Sequence, residues 1–151
     1  MSAKSKSTVA ATWKEGNDEI NIEARGYKAA IFEPVTHSCA SVPGVNAMEY
    51  YLVSLAACMT TITKWHASKA GVTNIDEITV NVSAEIDTRA CFVGDTNIKP
   101  GPSAINFEVY VKSEDDVSKL QKAFELGETL CPIADVTKNS TEIKLVVKNI
   151  K

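Results

Sequence analysis

Four residues of this 151-residue chain carry thiol chemistry: Cys39, Cys58, Cys91 and Cys131. An even count invites a disulfide framework. A chain of this length builds its own core, however, and residues 1–7 read as a Lys/Ser-rich start with no apolar stretch behind it, so no signal peptide and no structural bridges are expected. There is no Cys-x-x-Cys pair, and the only histidines are His37 and His66. The tight spacing of a zinc site is missing, and neither a metal nor a cofactor is expected. Two of the thiols occupy special places. Cys58 falls on an apolar helical stripe, where a free cysteine is most often core and less often a nucleophile. Cys131 precedes Pro132, and a cysteine at a helix N-terminus has free N–H groups and the dipole to stabilise its thiolate; the competing reading is a loop cysteine before a proline. Cys39 and Cys91 fall in predicted loops and read as incidental, and His66 as structural.

The element that must carry Cys58 is the most distinctive in the chain. Residues 47–70 contain no Gly or Pro, and Tyr51, Leu55, Cys58, Ile62 and Trp65 recur at offsets of 4, 3, 4 and 3. Asn46 is the expected N-cap, Glu49 sits in the first turn where negative charge is favoured, and Gly71 is the expected C-cap. Such a helix would be about 36 Å long. One subunit has little material to cover it, so burial at a dimer interface is expected. Its uncharged core, residues 50–63, falls short of the roughly 20 residues that span a membrane.

Around it the pattern is mostly strand. Residues 8–13, 20–22 and 28–32 read as a meander broken at Glu15–Asp18 and at Arg25-Gly26, with a loop over 34–45. Ile78 to Ile86, Ile105 to Val111 and Ile143 to Val147 alternate apolar with polar residues, each placing one face on a core. Residues 90–102 read as a loop. A second helix is expected to open at Ser113, with Ser113 and Asp116 as a capping box and Val117, Leu120, Phe124 and Gly127 as its inner stripe. Cys131 is then the N-cap of a short helix over Pro132–Lys138, since Pro favours the first helical position. The order β-β-β-α-β-β-α-α-β defines an α+β fold with a largely antiparallel sheet. A single domain over 1–151 is expected, with residues 1–6 as a flexible tail.

The bulk composition excludes several functions. Apolar residues make up 44%, too many for disorder. Sixteen basic residues against nineteen acidic ones give a net charge of −3, which argues against nucleic acid as a partner. A soluble, cytoplasmic protein with no membrane association is expected.

Two stretches resemble a known family. Asn46-Ala47-Met48-Glu49-Tyr50-Tyr51-Leu52-Val53-Ser54-Leu55-Ala56-Ala57-Cys58 resembles the long-helix signature of the OsmC/Ohr superfamily, and Leu130-Cys131-Pro132-Ile133 resembles its Cys-Pro signature. The resemblance covers roughly Ser7 to Lys148. It implies an intertwined homodimer whose antiparallel sheets wrap long central helices. It also implies a thiol peroxidase that reduces organic hydroperoxides in oxidative stress defence at the expense of a dithiol reductant. Carried onto this chain, Cys58 attacks the peroxide and Cys131 resolves it as a disulfide. A second thiol that condenses with a sulfenic acid protects it from over-oxidation. The family also implies an Arg, oriented by a Glu, facing the attacking thiol. Arg25 is the favoured counterpart, ahead of His37 and Arg89. Glu49 matches the acid by position, though nine residues place it on the opposite side of the helix from Cys58. The competing reading is a dimer of the same fold that binds an apolar, acyl or thiol-containing molecule without turnover.

Overall fold

The computed structural model describes residues 5–16, 19–32 and 44–148. The predicted loop over 34–45, with His37 and Cys39, lies almost wholly outside them. The chain divides into two compact units, residues 1–52 with 84–104 and residues 53–83 with 105–151.

In the first unit, β1 (Ala10–Thr12), β2 (Glu19–Ala24) and β3 (Tyr27–Phe32) form an antiparallel sheet in that order. Ala24 pairs with Tyr27, leaving Arg25 and Gly26 as a two-residue turn with φ of 52° and 83°. Two successive positive φ values define the hairpin turn whose twist matches the strands, and Gly serves it at no steric cost where Arg does not. Helix α1 (Ala47–His66) starts here. Asn46 and Glu49 close it reciprocally: Asn46 Oδ1 accepts from the Glu49 N–H at 2.9 Å, and Glu49 Oε2 accepts from the Asn46 N–H at 2.8 Å. That is a full capping box, where the sequence promised only a cap and a favourable charge. The stretch expected to be a loop holds a short helix, α2 (Arg89–Phe92), whose first turn is pinned by Asp87 accepting from the Arg89 backbone and guanidinium.

The second unit holds the rest of α1, a 3₁₀ turn over Ala67–Ala70, a two-stranded sheet of β4 (Glu77–Ala84) and β5 (Ile105–Lys112), and helices α3 (Val117–Leu130) and α4 (Pro132–Lys138). Gly71, at φ 79°, stops the α1 segment as expected, since only glycine takes that left-handed position freely. Two small cores hold the unit. One joins Leu55, Met59, Cys131 and Ala134, and the other joins Ala67, Val72 and Ala123.

The long helix, the cap at Cys131 and the α+β class are as expected, but the apolar phases differ. On α1 the fully buried positions are Leu55, Met59 and Thr63, continued by Ala67, at steps of four, while Trp65 is exposed. The partner helices explain this. Gly127 of α3 leaves room for Thr63, Ala123 packs with Ala67, and Cys131 and Ala134 pack with Leu55 and Met59. On α3 the buried positions are Ala123 and Gly127, and Val117 is exposed. The helix begins at Val117, not Ser113, because Ser113 and Asp115 are committed elsewhere. Ser113 Oγ donates to Asn74 O, and Asp115 accepts from Thr73, Asn74 and Lys119. These donors hold the Asp115 carboxyl well below the usual carboxylate range. Finally, residues 140–148 form no strand among the described residues, and Ile143, Leu145 and Val147 are over 80% exposed. Their alternation is real, but a strand exists only through a ladder partner.

Candidate active site

The thiol corner is built by four short stretches of the second unit, one of them β5, which packs Ile105 against it. α1 supplies Leu55, Cys58 and Met59. The α3–α4 junction supplies Cys131, and the first turn of α4 supplies Ile133 and Ala134. The junction is a local necessity. Cys131 is extended, with φ −78° and ψ 116°, as the residue before a proline prefers, and Pro132 takes the first helical position, where its missing N–H costs nothing. The α4 axis therefore turns away from α3 at Cys131. The other end of the junction is tied by an ion pair between Lys138 and Glu128.

Because Pro132 has no N–H, the first donors of α4 are those of Ile133 and Ala134. The structure divides them between the two thiols. The Ala134 N–H donates to Cys131 Sγ at 3.4 Å, and the Ile133 N–H donates to the Cys58 sulfur. Cys58 and Cys131 are hydrogen-bonded to each other through their side chains. Cys131 is 1% exposed and Cys58 half-buried, so one thiol is accessible and the other is held behind it. Burial pushes the Cys58 thiol up from its ordinary range, and the bond to Cys131 pushes the same way. The Ile133 N–H opposes both, because it stabilises the thiolate. None of these influences is a cation.

Of the four site residues expected from the sequence, the structure therefore brings Cys58 and Cys131 together. Arg25 and Glu49 belong to the first unit, Arg25 at the β2–β3 turn and Glu49 in the cap of α1. Cys91 is exposed on α2 and forms no disulfide. The donors Ile133 and Ala134 were not singled out from the sequence, although Pro132 at the first helical position signals them. Beside the corner, Met59 also lines an open apolar groove of about 600 Å³ with Phe107, Val109, Leu120 and Phe124, and Gln121, Glu125 and Glu128 stand at it too. Among the described residues no cluster of three or more His, Cys, Asp or Glu could hold a metal, and no helix is long and apolar enough to cross a membrane.

Antiparallel strands, a long helix and two touching thiols at a Cys-Pro corner define the class: an α+β protein with a paired-cysteine site. A family model described as OsmC-like protein matches residues 38–146, and the chain belongs to that family. Solved structures agree on the fold. An OsmC-like protein from Mycoplasma pneumoniae superposes with a TM-score of 0.76 at 16% identity, over 90% of this chain and 89% of that one. An organic hydroperoxide resistance protein from Elizabethkingia anophelis gives 0.70 at 18% identity, over 99% and 100%. The organic hydroperoxide resistance protein OhrB of Bacillus subtilis gives 0.58 at 23% identity, over 95% and 98%. No curated protein matches the chain in sequence.

Proposed function

We propose that this protein is a homodimeric, thiol-dependent peroxidase that reduces organic hydroperoxides. The observation that carries the reading is the contact between a half-exposed Cys58 and a buried Cys131. The Cys58 thiolate attacks the O–O bond, releasing an alcohol once the leaving alkoxide takes a proton, and becomes a sulfenic acid. Cys131 condenses with it, forming the disulfide and releasing water. A dithiol reductant then restores both thiols. The raised pKa of Cys58 is the obstacle, since only the thiolate attacks. A cation offsets it, and Arg25 is the assigned group. Glu49, which faces away from Cys58 of its own chain, is assigned as the orienting carboxylate of the second subunit's site.

The test uses purified, reduced protein given one equivalent of cumene hydroperoxide, quenched with an alkylating agent and mapped without reduction. A Cys58–Cys131 disulfide supports the reading; two free thiols after long exposure reject it. The apolar groove beside Met59 favours a second reading, an apolar or acyl ligand bound without turnover. Ligand-dependent stabilisation together with peroxide inertness would select it.

A further inference from the structure

Two residues flank the thiol corner without entering its chemistry. Thr63 on α1 is fully enclosed, and its Oγ1 has no hydrogen-bond partner. Gly127 on α3 is buried against it. A Cβ at Gly127 would fall inside the van der Waals envelope of Thr63 Oγ1 and lie 3.1 Å from Thr63 Cβ and 3.3 Å from its Cα. Each residue alone is an unfavourable choice. Glycine weakens a helix interior, and an unpaired hydroxyl is costly to bury. They make sense as a pair. The glycine hydrogen points at the hydroxyl oxygen, a C–H···O contact of the kind that recurs at close helix crossings. The branched threonine is a stiff wedge, restricted at χ1 in a helix.

This crossing lies next to the thiols along both chains. Thr63 is five residues beyond Cys58, and Gly127 is four residues before Cys131, each little more than one helical turn away. We propose that the Thr63–Gly127 contact is the spacer that sets the approach of Cys58 to Cys131, making both of them positioning residues for disulfide formation. The inference rests on the reading of Cys131 as the resolving thiol. Disulfide geometry is narrow, with Cα atoms about 4.4–6.8 Å apart. A packed interior transmits a displacement rather than absorbing it. A side chain at residue 127 would push α3 off α1 one turn from the bond that must form, and misplacement by about 1 Å can cost on the order of a hundredfold in an oriented reaction.

The experiment measures the effective concentration of the thiol pair in glutathione redox buffer, where the protein dithiol and oxidised glutathione exchange for the protein disulfide and two reduced glutathiones. The Cys58–Cys131 bond is quantified by peptide mapping, and circular dichroism confirms the fold. Gly127→Ala should lower the effective concentration by about tenfold or more, and Thr63→Ala/Gly127→Ala should return it to within about threefold of wild type. A folded Gly127→Ala protein with an unchanged value overturns the proposal, and so does a loss that Thr63→Ala fails to recover. Should Gly127→Ala not fold, the Thr63 variants decide. Thr63→Ser keeps the oxygen wedge and should stay within about threefold of wild type, while Thr63→Ala removes it and should move the value by more than about fivefold. Equal values for the two overturn the proposal. A wild-type protein that forms no Cys58–Cys131 bond in oxidised glutathione also overturns it. One that forms the bond there but not with peroxide sinks the peroxidase reading alone.

Discussion

Helices α1 and α4 are both closed at their N-termini by a side chain bonding to the backbone three residues on, but with different atoms and in different surroundings. At α1 the acceptor is the Asn46 amide oxygen, answered by the Glu49 carboxylate, and both bonds lie at the surface. At α4 the acceptor is the Cys131 sulfur, 1% exposed and in contact with Cys58. Oxygen caps more strongly and is not itself open to oxidation. Sulfur is a weaker acceptor, tolerable over a seven-residue helix because Ala134 and Lys138 anchor α4 by packing and by an ion pair. In exchange, the cap is an atom that can be oxidised. The same local motif is thus structural at one helix and chemically competent at the other.

The comparison breaks most sharply at Cys58. Cys58→Ala should reduce peroxide consumption to background while the Cys131 cap and the fold persist, judged by circular dichroism and melting. Substantial residual turnover would mean that the corner is structural, like the cap of α1. Cys131→Ser replaces the sulfur cap with an oxygen one. Catalytic turnover should stop after the first cycle, and a second equivalent of hydroperoxide should carry Cys58 on to sulfinic acid, read by mass spectrometry; sustained multiple turnovers would show that Cys131 only caps. Arg25→Ala should come next in size. Burial and Cys131 already raise the Cys58 thiol, so losing the assigned cation should move its alkylation-versus-pH curve further upward. The sign is that of an acid whose neutral form is favoured: thiolate, and with it rate, appears only as the pH climbs. A superimposable curve would remove Arg25 from the site. Smallest is the oxygen cap itself. Asn46→Ala should cost about 1 kcal/mol, a few degrees of melting temperature in a chain of this size. Glu49→Gln, which keeps an acceptor but not the charge, should cost about 0.3–1 kcal/mol. An alkylation curve of Cys58 that moves in Glu49→Gln would show that the carboxylate serves the thiol as well as the cap.

Local chemistry was readable in proportion to how local it is. Cys-Pro specifies an extended residue followed by a first helical turn, so the cap at Cys131 and the span 132–138 emerge from two residues. Asn46 and Gly71 bracket the long helix for similar reasons. The pairing of the thiols was implied only by family resemblance, because residues 58 and 131 are separated by two strands and two helices and no spacing rule links them. The buried position on α1 that apolar patterning does not mark is Thr63, because it is enclosed only through Gly127, a small residue that α3 brings opposite it. The start of α3 moved because Asp115 is held by Thr73 and Asn74, some forty residues earlier in the chain.

The sequence by itself determined the long helix with its Asn46 and Gly71 caps, the helix over 132–138, and the placing of one thiol on a long helix and another at a Cys-Pro corner, since these follow from backbone sterics and periodicity within a few residues. The tertiary structure alone decided which donor faces which sulfur, that Cys58 touches Cys131, and that Gly127 meets Thr63 where no side chain fits. It also left the alternating residues 143–147 without a ladder among the described residues. Those outcomes depend on distances between segments remote in the chain, which packing sets and no local preference encodes.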